Sequence, residues 1–305
     1  MFSYIVRRLL LVVVVVWGAV TFTFALLQLS GDPTHLLLPL DASPEARARY
    51  RQAYGLDRPV IIQYGRYLAS AVQGDFGVSL RSRDDAMKLV LNRLPNSALL
   101  AFSGLLFAIV IGVPAGVLAA LKRGTHIELA VMTAALLGQS TPNFWVGLML
   151  ILVFGLTLGW LPISGMGTWQ HLVLPAITVG TFVAASITRL TRSGVLQELR
   201  SDYVRTARAK GLPIPAVNYK HALRNAAIPV VTIIGLQLGV LLSSTIITET
   251  IFAWPGLGRF VFVAVTQRDF PVVQATVAVF AVMLALITLL VDIMYAVLNP
   301  RVRYG

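Results

Sequence analysis

Residues with catalytic or metal-binding chemistry are few in this sequence and lie far apart. The 305-residue chain has no cysteine, and its four histidines are scattered without the close spacing of metal ligands. Ser164 stands in the sequence Ser-Gly-Met-Gly, which is not the nucleophile turn of a hydrolase. There is no phosphate-binding loop of the Gly-x-x-x-x-Gly-Lys-Ser/Thr type, so we expect the chain not to hydrolyse ATP itself. We expect no catalytic site, no metal site and no cofactor bound by this chain.

Ionisable side chains are also scarce where an ion-driven carrier needs them. Such carriers normally bury ionisable residues inside their membrane helices as proton or ion relays. Here only Glu249 and Asp292 lie close to long apolar segments, and both lie near segment ends. This argues against a proton-coupled carrier, although unwound backbone can also form ion sites. A simple channel remains compatible with the composition.

The composition requires lipid around much of the chain. Hydrophobic residues make up 57% of it, charged residues make up only 12%, and the mean hydropathy is +0.78. Soluble domains carry about 25% charged residues, so a chain this apolar cannot cover its surface with polar groups. The net charge of +12 therefore indicates orientation in a membrane and not a nucleic-acid footprint.

Charged segments, together with a turn region rich in Gly and Pro inside the uncharged stretch 129–188, divide the apolar sequence into six runs, each close to the roughly 20 residues that a spanning helix needs. We therefore predict an all-α polytopic membrane protein with six transmembrane helices. The uncharged run near the N-terminus is too long for a signal-peptide core, so we interpret it as a retained helix. The predicted spans lie near residues 9–31, 94–121, 129–158, 171–190, 225–248 and 270–298.

The Lys and Arg residues orient this topology. Eight of the 25 lie between residues 189 and 224, and the short hairpin near residue 165 has none. Because short cytoplasmic loops are enriched in Lys and Arg, we place both termini and the long loop in the cytoplasm. The predicted segments are 1–31 (cytoplasmic N-terminus and helix one), 32–93 (a small extracytoplasmic domain), 94–298 (the core transmembrane domain, with a cytoplasmic loop at 191–224) and 299–305 (a cytoplasmic tail).

The loop after the fourth span is far longer than a turn between neighbouring spans requires. Residues 202–211, Asp-Tyr-Val-Arg-Thr-Ala-Arg-Ala-Lys-Gly, have a helical pattern in which Asp202 can cap the start and Gly211 can form the end. Ala207 and Gly211 share a face with Tyr203, and small residues there let another surface approach the backbone. The pattern fits a helix that docks on a protein and equally an amphipathic helix on anionic lipid.

Polar residues interrupt the third and fifth apolar segments. The sequence Gln-Ser-Thr-Pro-Asn at 139–143 contains Pro142, which removes a backbone hydrogen bond and is expected to kink its helix. Unpaired amides are costly in lipid, so these side chains should face protein or water. They either line a translocation path or join helices by hydrogen bonds. The candidate path residues are Gln139, Thr141, Asn143, Gln237, Ser243, Ser244 and Glu249.

The long loop resembles the cytoplasmic signature of the permeases of binding-protein-dependent ABC importers. That signature is Glu-Ala-Ala-x-x-x-Gly followed after nine residues by Ile-x-Leu-Pro, and Ala207, Gly211 and Leu223 match it here. The wider segment 202–232 resembles the variant in the dipeptide, oligopeptide, glutathione and nickel branch, in its first permease subunit type. Further motifs that resemble this branch are Gly31-Asp32-Pro33, Gly74-Asp75-Phe76-Gly77-x-Ser79, Trp254-Pro255-Gly256-Leu257-Gly258-Arg259, Arg268-Asp269-Phe270-Pro271 and Asn299-Pro300-x-x-Arg303.

This resemblance implies the type I ABC importer permease fold in a bacterial inner membrane. It implies three kinds of partner: a second homologous permease, two ATPase subunits that bind ATP and Mg, and an extracytoplasmic solute-binding protein. Peptides are the implied substrate, with glutathione or nickel as alternatives in the branch and an autonomous channel or secondary carrier as the alternative from another class. The 32–93 segment would receive the binding protein or cap the helix bundle, and nucleic acid is not expected as a partner. The implied ATPase-coupling residues are Tyr203, Arg205, Thr206, Ala207, Arg208, Gly211, His221, Leu223 and Arg224.

Overall fold

The computed structural model describes residues 2–29, 43–45, 52, 57–213, 216–217 and 223–298. Helices dominate this part of the chain, and its only β-type pairing is an isolated bridge between Val78 and Asp85. The all-α prediction is therefore confirmed. In chain order the helices are α1 (Phe2–Leu29), α2 (Val60–Val72), α3 (Ala86–Leu121), α4 (His126–Ser140), α5 (Asn143–Leu150, continued by a π-helical segment at Ile151–Thr157), α6 (Gln170–Leu199), α7 (Asp202–Ala209), α8 (Arg224–Ile251), α9 (Leu257–Thr266) and α10 (Phe270–Leu298).

The chain forms two compact units. The first comprises Met1–Pro95 and Phe260–Leu289, and the second comprises Asn96–Arg259 and Leu290–Gly305. In the first unit α1 and α2 are joined by a hydrogen bond of 2.7 Å between the hydroxyls of Thr21 and Tyr64. The second unit contains most of α3 and all of α4 to α8, so the long loop and both polar segments belong to it.

Four helices in the described part of the chain are long and apolar enough to cross a membrane, namely α1, α3, α6 and α10. The helices on either side of Pro142 make a further span if they count as one, although they are bent by 104°. The fifth predicted span corresponds to α8, whose apolar part is shorter, Gln237–Ile251. The count of six spans stays a prediction. The 299–305 tail and much of the 32–93 segment lie outside the described residues.

The third predicted span breaks at Pro142. Helix α4 ends at Ser140, and α5 begins at Asn143. The backbone between them is extended, with ψ angles of 128° at Thr141 and 135° at Pro142. Proline lacks an N–H and disfavours the helical conformation of the residue before it. The expected kink is confirmed, and it is a full interruption after which the helix restarts in a new direction.

Two helices extend beyond the bounds expected from the sequence. Helix α3 begins at Ala86, within the range assigned to the extracytoplasmic domain, because the Asp85 carboxylate accepts a hydrogen bond from the Lys88 N–H at 2.7 Å and caps the helix there. Pro95, expected at a helix start, consequently lies inside α3. Helix α6 continues to Leu199, so the first residues of the predicted 191–224 loop are helical.

Glycines hold α3 and α6 close together in the second unit. Gly112 and Gly116 are four residues apart, and a Cβ on Gly116 would lie 2.6 Å from the Thr188 carbonyl oxygen. A Cβ on Gly180 of α6 would lie 2.5 Å from the Gly104 carbonyl oxygen. Small residues at this spacing let membrane helices approach backbone to backbone. The segment that follows α6 therefore begins at the end of a helix that packs tightly against α3.

Candidate functional site

The helix predicted in the long loop is present as α7. Ser201 occupies its N-cap position with an extended backbone, and Asp202 is its first helical residue. The prediction that Asp202 caps the helix is therefore wrong by one position. The Ser201 hydroxyl does not cap the helix either, since it donates to the Glu198 carbonyl oxygen at 2.6 Å. Gly211 ends the segment as expected, because its φ of +75° lies in the left-handed region that favours glycine.

One face of α7 packs against the protein. Val204 is fully buried and Ala207 is only 9% exposed. Together with Val217 they form a small apolar group, called the α7 cluster below. The sequence pattern placed Ala207 on the face toward a partner, whereas the structure places it on the inner face beside Val204. The attachment of α7 to the rest of the chain thus depends on a few apolar side chains.

The rest of the α7 surface is polar and exposed. Tyr203, Thr206 and Lys210 follow one another at intervals of three and four residues and form one exposed stripe beside the buried face, called the outer stripe below. Arg205 and Arg208 are exposed beside it. The outer face therefore carries mainly positive charge, and it offers aromatic, hydroxyl and cationic groups to a partner surface.

Polar contacts at the start of α7 differ in strength. The Tyr203 hydroxyl donates a hydrogen bond to Glu198 Oε2 at 2.6 Å. Burial and the Glu198 carboxylate both raise the pKa of Tyr203, so the phenol stays protonated and remains a donor. Arg205 Nη1 lies 3.7 Å from Asp202 Oδ1. Because the two side chains are 80% and 98% exposed, this ion pair adds little to stability.

Leu199, the last residue of α6, links α7 to the membrane helices. On one side it packs against the α7 cluster. On the other side it packs against a second group of buried residues, one from each of three helices. This helix-end cluster consists of Ala120 of α3, Val195 of α6 and Ala226 of α8. Leu199 is therefore in contact both with α7 and with the ends of three helices.

The remaining coupling candidates lie at the other end of the loop. Leu223 precedes α8 and packs against the helix-end cluster. Arg224 is the first residue of α8, but its side chain lies outside the described residues, as does the whole of His221. The structure therefore brings Leu223 to the same helix ends as Leu199 and attaches both ends of the loop to one apolar group.

The candidate path residues do not form a single group. In the 139–143 segment, Gln139 accepts a hydrogen bond from Arg189 of α6, and the Thr141 hydroxyl donates to the preceding helical turn at 2.7 Å. In α8, the Ser244 hydroxyl donates to its own helix at 2.9 Å, and the side chain of Ser243 lies outside the described residues. Within the described residues, no hydrogen bond joins the two segments.

Gln237 and Asn143 are the two amide candidates without such a contact. Asn143 is the first residue of α5 and is partly exposed. Gln237 is half-buried, and its Oε1 is shielded from solvent with no hydrogen-bond partner among the described residues. Buried amides normally have a partner, so Gln237 is the path candidate best placed to meet a ligand or another subunit.

Glu249 lies in a buried network instead of facing an open path. Its side chain is 0% exposed, Oε1 accepts from the Ser97 hydroxyl at 2.5 Å, and Oε2 accepts from the Arg259 N–H at 3.0 Å. The Ser97 oxygen in turn accepts from the Leu257 N–H at 2.7 Å. A Cβ on Gly256 would collide with the carboxylate, which explains the glycine of the Trp-Pro-Gly motif. Glu249 therefore positions this loop. Sequence reasoning does not find Ser97, because a single serine in an apolar helix carries no distinctive signal.

Comparison with known proteins identifies relatives of the whole chain. Residues 112–304 match the family described as the binding-protein-dependent transport system inner membrane component. Residues 1–101 match the family described as the N-terminal part of the membrane component of such systems.

Two curated relatives cover the full length of the chain. It is 41% identical to the di/tripeptide transport system permease protein DppB of Pseudomonas aeruginosa (strain UCBPP-PA14), with 100% of this chain and 99% of that protein covered. It is also 41% identical to the glutathione transport system permease protein GsiC of Escherichia coli (strain K12), with 100% of both covered.

Solved ABC transporters share the fold at low sequence identity. An inward-facing structure of the MetNI methionine ABC transporter matches with a TM-score of 0.57 and 19% identity, over 70% of this chain and 97% of that chain. An amino acid ABC transporter matches with a TM-score of 0.51 and 21% identity, over 68% of this chain and 93% of that chain. The fold is therefore that of type I ABC importer permeases, as the resemblance implied. The chain belongs to the family of binding-protein-dependent transport system inner membrane components, as a multi-pass, non-catalytic permease subunit of an ABC importer that assembles with other subunits.

Proposed function

We propose that this permease forms half of the pathway of a peptide importer, with di- and tripeptides as its substrate class. The full-length identity of 41% to a di/tripeptide permease supports this substrate class. The polar path candidates are consistent with it, since Asn143 and Gln237 are neutral amides, and an amide can bind either end of a zwitterion.

In this proposal the other subunits supply what the chain lacks. A second, homologous permease completes the pathway, and an extracytoplasmic solute-binding protein delivers the substrate. Two ATPase subunits bind ATP and Mg and hydrolyse the nucleotide, while this chain binds neither. Both termini and α7 face the cytoplasm, because the basic residues of the 189–224 segment mark that side.

The observation that carries the coupling role is the double packing of Leu199. The outer stripe of α7 docks on an ATPase subunit, and the inner face of α7 contacts Leu199. Closure of the ATPase pair then moves α7, and Leu199 passes the movement to the helix-end cluster. Coupling of this kind needs no charged relay inside the membrane.

The coupling role is tested at Gly211, where φ is +75° and a Cβ would have no other atom of the described residues within 4 Å. A loss of coupling there is therefore attributed to backbone strain or to contact with a partner. In proteoliposomes with all subunits, Gly211→Arg should leave ATP hydrolysis running without uptake. Gly211→Asn is the matched control, because asparagine tolerates the left-handed conformation, and it should retain most uptake. Normal coupling in Gly211→Arg would contradict the docking role.

The substrate class is tested by ATP-dependent uptake in the same proteoliposomes. Glutathione is the second candidate, because the identity to the glutathione permease is also 41%. Uptake of unmodified di- and tripeptides in preference to glutathione and nickel is the expected result. Preferential uptake of glutathione or nickel would show that this compound is the substrate and would contradict the assignment to di- and tripeptides. Uptake by this chain alone, without ATPase subunits, would show that it works as an autonomous channel or carrier and not as part of an ATP-driven importer.

A further inference from the structure

A cationic cavity opens beside the cytoplasmic end of α6, and the proposed coupling does not use it. Its volume is about 420 Å³. Three arginines contribute to its wall, two from α6 and one from the loop after α3. The residues that line this arginine cavity are Arg123, Arg192, Ser193, Leu196, Gln197 and Arg200.

Charge inside the arginine cavity is only partly compensated. Arg192 Nε donates to Glu128 Oε1 at 2.7 Å, and the Gly124 N–H donates to Glu128 Oε2 at 2.5 Å, so this carboxylate is fully engaged. In the part of the chain that the structure describes, neither Arg123 nor Arg200 forms an ion pair. Arg123 also interacts electrostatically with Glu128, so among the described residues one carboxylate compensates three guanidinium groups, and the remaining positive charge favours an anionic occupant.

The part of the cavity nearest the membrane lies at the level of lipid headgroups. A helix rises about 1.5 Å per residue, so Arg192 lies about 3 Å beyond Leu190, the last residue of the predicted fourth span, and within the headgroup layer of roughly 5–7 Å. Arg200 lies about 15 Å beyond Leu190 and outside that layer, where its charge still acts on an anionic headgroup within roughly one Debye length. Leu196 in the cavity wall and the exposed Leu190 offer apolar surface to an acyl chain.

We propose that the arginine cavity binds the phosphate group of an anionic phospholipid of the inner leaflet. Guanidinium groups bind phosphate oxygens in a bidentate manner, and basic pockets on the cytoplasmic side of membrane helices suit lipid headgroups. The cavity is more than ten times larger than the roughly 30 Å³ that one water occupies in the liquid, so a glycerol phosphate headgroup fits. A bound headgroup would contact Arg123 of the loop after α3 and the arginines at the end of α6, and would so connect these two segments close to Leu199. This inference does not depend on the transported substrate or on docking by α7.

The test uses the purified importer with all its subunits in nanodiscs that contain phosphatidylglycerol. Native mass spectrometry counts the phosphatidylglycerol molecules retained by this chain after release from the discs. The double variant R123Q/R200Q should retain about 20- to 30-fold less of the tightest-bound lipid, at about fivefold per basic residue. Lys122→Gln is the matched control, because it removes the same charge from the same loop but does not line the cavity. It should retain as much lipid as the wild type.

Inorganic phosphate is the second probe, since it offers the same group without an acyl chain. Millimolar phosphate should leave the bound phosphatidylglycerol in place. Displacement by phosphate would assign the cavity to a free anion and overturn the lipid site. Equal loss in Lys122→Gln would show general surface attraction, and unchanged retention in R123Q/R200Q would show that the cavity holds no lipid. Loss of the ATPase subunits from R123Q/R200Q with lipid still bound would assign the cavity to protein docking.

Discussion

Shortening Leu199 to alanine should disconnect α7 from the membrane helices. Among the described residues, the substitution removes the side chain shared by the α7 cluster and the helix-end cluster and keeps the other members of both. A buried leucine replaced by alanine costs about 2–5 kcal/mol. Leu199 is partly buried, so roughly half of this, about 1–2.5 kcal/mol, is the expected loss. Since about 1.4 kcal/mol corresponds to tenfold in an equilibrium constant, the detached population of α7 should rise about 5- to 60-fold.

Two measurements on the assembled importer follow this change. Amide hydrogen exchange reports the detached population directly, and the peptide that covers residues 202–211 should exchange about 5- to 60-fold faster in Leu199→Ala. In proteoliposomes, the amount of substrate imported per ATP hydrolysed should fall, because ATPase closure then moves α7 without moving the helix ends. The rate of ATP hydrolysis itself should change less than the uptake.

Leu196→Ala is the matched control for this experiment. Leu196 lies one helical turn earlier on α6 and packs against the helix-end cluster but not the α7 cluster. Its truncation should lower the melting temperature by a similar amount and leave exchange in 202–211 unchanged. Equal acceleration of exchange in both variants, or none in Leu199→Ala, would refute the idea that Leu199 connects the two clusters.

Three further substitutions test other parts of the structure. Gly116→Ala should lower the melting temperature, at a cost of about 1–3 kcal/mol for overpacking, whereas Gly18→Ala, with no atom within 4 Å of its Cβ, should not; equal melting temperatures would argue against the close contact of α3 and α6. Glu249→Gln should lower the free energy of unfolding by about 1–3 kcal/mol, because an amide nitrogen cannot accept a hydrogen bond from the backbone N–H that Oε2 now binds; a variant as stable as the wild type would contradict the positioning role of Glu249. Gln237→Leu should lower uptake without lowering stability, because its Oε1 has no partner among the described residues. Ser244→Ala, whose hydroxyl binds its own helix, should keep normal uptake, and equal uptake in these two variants would contradict a path role for Gln237.

Features set by local chemistry were predictable from the sequence. Pro142 interrupts its helix because proline lacks an N–H, and Gly211 ends α7 because glycine adopts positive φ. Both effects depend on a residue and its immediate neighbours. The apolar runs likewise predicted the main helices, since their length and lack of charge are properties of the sequence itself.

Features set by contacts between distant segments were not predictable in the same way. Ala207 sits on the inner face of α7 because Val217 and Leu199 pack there, and no local pattern distinguishes an inner from an outer small residue. Leu199 looks like any apolar residue at a helix end. Gly112 and Gly116 do carry a readable signal, the spacing of small residues in a membrane helix, so the close contact with α6 was within reach of the sequence.

The central claim is that the outer stripe of α7 contacts an ATPase subunit, and cysteine cross-linking tests it most directly. The chain contains no cysteine, so Thr206→Cys introduces a single reactive thiol on the exposed face, and Ala207→Cys introduces one on the buried face. With a short thiol-to-amine cross-linker and the assembled importer, Thr206→Cys should form a covalent adduct with an ATPase subunit, and Ala207→Cys should form little. An adduct that forms at Ala207→Cys in preference to Thr206→Cys, or none at either position, would contradict the account.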